Sequence, residues 1–94
     1  MPAYVLLSKK LLKDKNYKHT NNVLVEGLNK YSDSGALMME MGKLKYVTSI
    51  YSEAYESFIA ALKMTDVNKE ETLYNLGLTN LQMGRYDEAI ANFK

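Results

Sequence analysis

The 94-residue chain has no cysteine, one histidine, one proline and five glycines, and it has no long apolar run. Each shortage excludes something. Without cysteine there is no disulfide, no thiolate metal ligand and no cysteine nucleophile; this fits a reducing compartment, and the cytoplasm is the expected location. His19 has no His or Cys companion and stands beside Lys18 at a helix start, so no metal site is expected. Scarce Pro and Gly leave long windows for helices, and no segment alternates as a strand would. The stretch from Ala3 to Leu7 is too short for a signal-peptide core or a bilayer span, so no membrane partner is expected.

Catalysis also lacks its parts. Ser8, Ser49 and Ser52 have no recognisable base, and no Gly-rich loop precedes a helix to cradle phosphate. The acidic pairs Glu70-Glu71 and Asp87-Glu88 fall at helix starts, where the macrodipole accounts for them. Neither enzymatic activity nor a cofactor is expected. The net charge of +1 conceals an asymmetry: residues 1–30 hold six Lys against Asp14 and Glu26, whereas the remainder holds six basic and nine acidic residues. The Lys9 to Lys18 run has five Lys but little aromatic interleaving, so it reads as a solvated face and not as a nucleic-acid surface.

What is present is helical periodicity. Tyr4, Leu7 and Leu11 sit on a first helix from about Ala3 to Lys13, and Thr20, Leu24, Gly27, Leu28 and Tyr31 line a second that begins near Tyr17. A break at Ser32 to Gly35 precedes a third helix, about Ala36 to Val47, with Leu37, Met38, Met41 and Leu44 inward. The fourth begins near Ser52, with Ala54, Tyr55, Phe58, Ala61 and Leu62 on its inner face, and ends at a second break, Thr65 to Asn68. Asn68 with Glu71 has capping-box spacing. From Leu73 to Phe93 the pattern is a helical hairpin: Gly84 stops its first helix, and Asp87 is placed to cap its second.

A period underlies these helices. A shift of 35 superposes Gly42 on Gly77, Tyr51 on Tyr86, Ala54 on Ala89 and Phe58 on Phe93. A shift of 34 superposes Tyr17 on Tyr51, Thr20 on Ala54 and Leu24 on Phe58, so residues 1–34 form a drifted first unit, residues 35–69 a second and residues 70–94 a partial third. Leu76-Gly77, Tyr86, Ala89 and Phe93 in the third unit, with Met41-Gly42, Tyr51, Ala54, Phe58 and Ala61 in the second, resemble the tetratricopeptide repeat. The first unit departs from it at Ser8 and Thr20.

The resemblance implies an all-α, right-handed superhelical stack of antiparallel hairpins, a non-catalytic module that binds a protein or peptide. It also implies that first helices of successive hairpins line a concave groove. Carried over, the lining is Val5, Lys9 and Leu12, then Met39, Lys43 and Tyr46, then Tyr74, Leu78 and Leu81. That lining is mainly apolar, with Tyr46 and Tyr74 as the expected anchors for a helical or extended segment. Clamping of a terminal carboxylate, which some members perform, is not expected, because Glu40 and Glu71 would repel it. Since Lys94 follows Phe93 before the third period is complete, two expectations stand: a piece of a longer array, or an edge covered by a partner or by another copy in a homo-oligomer.

Overall fold

The computed structural model describes residues 2–94; Met1, the first residue of the expected first unit, lies outside them. Six helices follow in order: α1 (Pro2–Lys13), α2 (Tyr17–Lys30), α3 (Gly35–Val47), α4 (Tyr51–Leu62), α5 (Lys69–Gln82) and α6 (Tyr86–Phe93). They form three antiparallel hairpins stacked side by side as an α-solenoid. The odd-numbered helices touch one another along the stack, α1 with α3 and α3 with α5. Among the described residues no even-numbered helix touches another, so the stack bends with α1, α3 and α5 on its inner, concave side.

The three hairpin turns share one geometry. Lys15, Ser49 and Gly84 have φ of 62°, 64° and 75°, the left-handed conformation that ends a helix. After each, a backbone N–H returns across the turn: Asn16 to the Leu11 carbonyl, Ile50 to Lys45 and Arg85 to Asn80, at 2.8–2.9 Å. Only Gly84 announces this turn by composition; Lys15 and Ser49 adopt it against their side-chain preference, which costs each about 1 kcal/mol. The turn also sets where the next helix begins. α6 therefore starts at Tyr86 with Arg85 in the capping position, and Asp87, expected as its cap, lies in the first turn instead.

The breaks between hairpins are capped by side chains. Ser34 Oγ accepts from Leu37 N and Asn68 Oδ1 accepts from Glu71 N, so Gly35, assigned to the break, is already helical. Asp66, in the turn after α4, accepts from the amides of Gly35 at 2.8 Å and Ala36 at 3.4 Å, placing its negative charge on the start of α3. A Cβ on Gly35 would lie 2.5–2.7 Å from Val67, Asp66 and Met64, so this tie between two turns requires glycine there.

Two clusters make up the core. Between the first and second hairpins, Leu24, Leu37 and Leu44 are buried, with Tyr4, Val5, Leu12, Tyr17, Leu28 and Met41 around them. Between the second and third, Met39, Ala54, Phe58, Ala61 and Leu76 are buried, with Tyr46, Tyr55, Ile59 and Val67 around them. The Phe58 ring lies against Gly42, where a Cβ would approach to 2.5 Å, and the Phe93 ring lies against Gly77, where a Cβ would come equally close. The period is thus a period of contacts. At the equivalent positions of the first hairpin, Ser8 and Leu24 are both fully buried: the glycine has gained a side chain where the ring has become smaller.

Candidate functional site: the inner face of α1, α3 and α5

Four charged side chains cross the concave face. Lys9 Nζ on α1 donates to Glu40 Oε2 on α3 at 2.8 Å, Lys43 Nζ donates to the same oxygen at 3.3 Å, and Lys43 donates onward to Glu71 Oε1 on α5 at 2.7 Å. Glu40 is the buried member, its side chain 4% exposed. A carboxylate so enclosed has its desolvation offset by its two ammonium partners. The opposite charges balance along the row.

Burial alone would drag the Lys43 ammonium down, but its hydrogen bond to Glu71, with the charges of Glu40 and Glu71, outweighs this and holds its pKa above the ordinary 10.5. Glu71 is held below its ordinary 4.5, first by the hydrogen bond from Lys43, against a smaller opposing effect of burial. Linkage then gives two limbs. The stabilisation through Glu71 is present above about pH 4.5 and lost as pH falls through its lowered value; that through Lys43 is present below about pH 10.5 and lost as pH rises through its raised value. The melting temperature should therefore be flat across neutral pH and fall at both extremes. Lys43→Met should flatten part of both limbs, and a variant with limbs identical to the parent would show that the row carries no stability. Glu71 is about half exposed, so its share is small.

The nine side chains carried onto the groove fall into different surroundings. Lys9 and Lys43 belong to the charged row. Val5 and Leu12 are half-buried against the first core cluster, and Met39, at 5% exposure, is part of the second. Tyr46 packs beside that cluster, its ring edge-on to Tyr51 at 5.4 Å and its hydroxyl accepting from Gln82 Nε2 at 3.5 Å. Of the nine, only those on α5 offer open apolar surface: Tyr74 is 57% exposed, Leu81 39%, and Leu78 half-buried. The inner face is therefore polar in the middle and apolar at its α5 edge. Met39 and Tyr46 lie where α3 meets α5, because a first helix in a stack must also pack on the next one.

Beside the α5 edge is a cavity of about 610 Å³ with Leu73, Tyr74 and Phe93 as its apolar wall and Glu70 and Glu71 at its rim. Tyr74 and Phe93 are 5.7 Å apart, ring to ring. A smaller cavity of about 110 Å³ lies over Val5, Met39 and Val67 beside the charged row. The row is not legible within any one helix of the sequence. Lys9 and Glu40 are 31 residues apart and Lys43 and Glu71 are 28 apart, so no single helix shows the pairing. The signal available was that Lys9 and Lys43, at equivalent positions of the first two units, each have an acid about one repeat further on, Glu40 and Glu71. The repulsion expected from Glu40 and Glu71 is answered here by Lys9 and Lys43.

Among the described residues no cluster of three or more His, Cys, Asp or Glu side chains could hold a metal ion, and no helix is long and apolar enough to cross a membrane. No protein-family model matches the chain. It is 31% identical over 87 residues to the human (Homo sapiens) Intraflagellar transport protein 88 homolog; the match covers 79% of this chain and 11% of that protein. Among solved structures, MamA AMB-1 superposes with a TM-score of 0.82 at 20% identity, covering 96% of this chain and 53% of that one. A point mutant of MamA gives the same TM-score and identity, covering 98% and 66%. The chain thus spans about a tenth of the length of its human relative and about half to two thirds of the MamA chains. Three stacked hairpins with a recurring glycine–phenylalanine contact, superposing on MamA, give this chain an α-solenoid fold of the tetratricopeptide type.

Proposed function

We propose that this chain is a non-catalytic protein-binding module of the cytoplasm that takes a peptide or helical segment along the face formed by α1, α3 and α5. The observation that carries the reading is the division of that face: a charge-balanced row running from α1 across α3 to Glu71 at the start of α5, and exposed Tyr74 and Leu81 further along α5. Such a surface favours a segment with an apolar anchor at one end and polar groups along the rest. The anchor buries a large area against Tyr74 at small entropy cost, and the row offers paired charges that a ligand need not neutralise. Affinity is expected to be around micromolar, since ordering a short segment consumes much of the contact energy.

The test is selection of binding peptides from a displayed random library, followed by titration calorimetry on the purified chain. Tyr74→Ala should weaken a selected peptide by about tenfold or more, with helicity unchanged because the ring is mostly in solvent. Selected peptides whose binding ignores Tyr74, Leu81 and Lys9 alike would place the binding surface elsewhere. A second reading, self-association through the third hairpin, is favoured by the exposure of Ile90 and Phe93 on α6.

A further inference from the structure

Within the chain, two sets of positions join one hairpin to the next. In the inner set, seen between the first and second hairpins, Lys9 on α1 holds Glu40 on α3; at the next junction Asn75 stands at the Glu40 position and Lys43 bonds Glu71 instead. In the outer set, Phe58 on α4, with Tyr55 beside it, packs around Leu76 on α5. Counting by the 34- and 35-residue period, Leu78 on α5 stands where Lys9 and Lys43 stand, and Leu6 on α1 stands where Glu40 stands. Both members of the ion pair have become leucine, one at each end of the stack. In the outer set, Leu7 stands where Leu76 stands, while Ile90 and Phe93 on α6 stand where Tyr55 and Phe58 stand. Leu6, Leu7, Ile90 and Phe93 are all exposed. The charge of the two ends is also opposite: residues 1–30 carry six Lys against two acids, and residues 70–94 carry four acids against two bases.

From this we propose that a second copy of the chain docks its α1 on α5 and α6, in the register by which α3 docks on α1 and α2, with Leu6 of one copy against Leu78 of the other. The inference rests on reading the α5–α6 edge as a protein-binding surface and names one occupant for it. Two leucines meet at the junction as favourably as Lys9 and Glu40 meet inside the chain, whereas a leucine against a lone charge would strand that charge in apolar surroundings. Because the two surfaces differ, the contact is heterologous and repeats without closing, so the product is a linear series and not a two-fold dimer.

Sedimentation velocity of the 94-residue chain over a wide concentration range tests this. Species larger than dimers should grow with concentration. Leu6→Glu alone and Leu78→Lys alone should each raise the concentration needed for assembly by ~100-fold or more, with unchanged circular dichroism. An equimolar mixture of the two variants should assemble again, since the introduced carboxylate and ammonium then face each other as Glu40 and Lys9 do. A chain that stays monomeric at every concentration, or a closed dimer untouched by either substitution, overturns the proposal. A monomeric chain that still binds selected peptides through Tyr74 would leave the protein-binding reading standing while removing this one.

Discussion

Phe58→Ala is expected to destabilise the fold by about 3–5 kcal/mol and to lower the melting temperature by ~15 °C or more. The ring is fully buried and belongs to the cluster of Met39, Ala54, Ala61 and Leu76, so one side chain joins α3, α4 and α5. Its removal leaves a void that the solenoid cannot close from both sides, because Gly42 has no side chain to move into it. Phe93→Ala provides the control. That ring stands at the same position of the third unit but is 43% exposed, and its loss should cost about half as much or less. Equal losses for the two rings would mean that the second cluster is not the centre of the fold. Thermal and urea unfolding followed by circular dichroism would decide between these results.

Gly42→Ala should also destabilise, against the usual sign for such a change in a helix. Alanine is favoured over glycine by about 1 kcal/mol in a helix interior. Here its Cβ would meet Phe58 Cε1 at 2.5 Å, and a ring enclosed on every side has no free direction in which to retreat. Overpacking of that kind costs about 1–3 kcal/mol, so it exceeds the propensity gain. Gly77→Ala makes an equally short approach to Phe93, yet that ring is near the end of α6 and half in solvent, so it swings aside and the two effects nearly cancel. The first hairpin suggests the remedy. Combining Gly42→Ser with Phe58→Leu reproduces the Ser8 and Leu24 arrangement, and the double variant should be more stable than the sum of the single losses. Strict additivity in that cycle would show that glycine and ring do not constrain each other.

These two cases mark how far the sequence can be read. Gly42 with Phe58 and Gly77 with Phe93 are each 16 residues apart, within one hairpin, and the period exposes them because the same small and large pair recurs. The hairpin breaks were legible in all three units, but their left-handed geometry was legible only at Gly84 and not at Lys15 or Ser49, whose composition does not reveal a left-handed backbone. Asp66 gave no sign of its role. Its partners Gly35 and Ala36 lie about thirty residues earlier, so its cap exists only once two hairpins have packed together.

The amino-acid order by itself determined the helices, their pairing into hairpins and the repeat, since all of these follow from apolar spacing within about 35 residues. Tertiary structure decided which face stays open. A first helix in such a stack turns one side toward its own hairpin, one toward the next and one toward the groove, and neighbouring positions differ by only 100° of rotation. The angle between hairpins therefore decides that Met39 is enclosed, that Tyr46 is half-covered and that Tyr74 remains in solvent. It also brings Lys9, Glu40, Lys43 and Glu71 within hydrogen-bonding distance, a pairing between helices that periodicity along one chain does not contain.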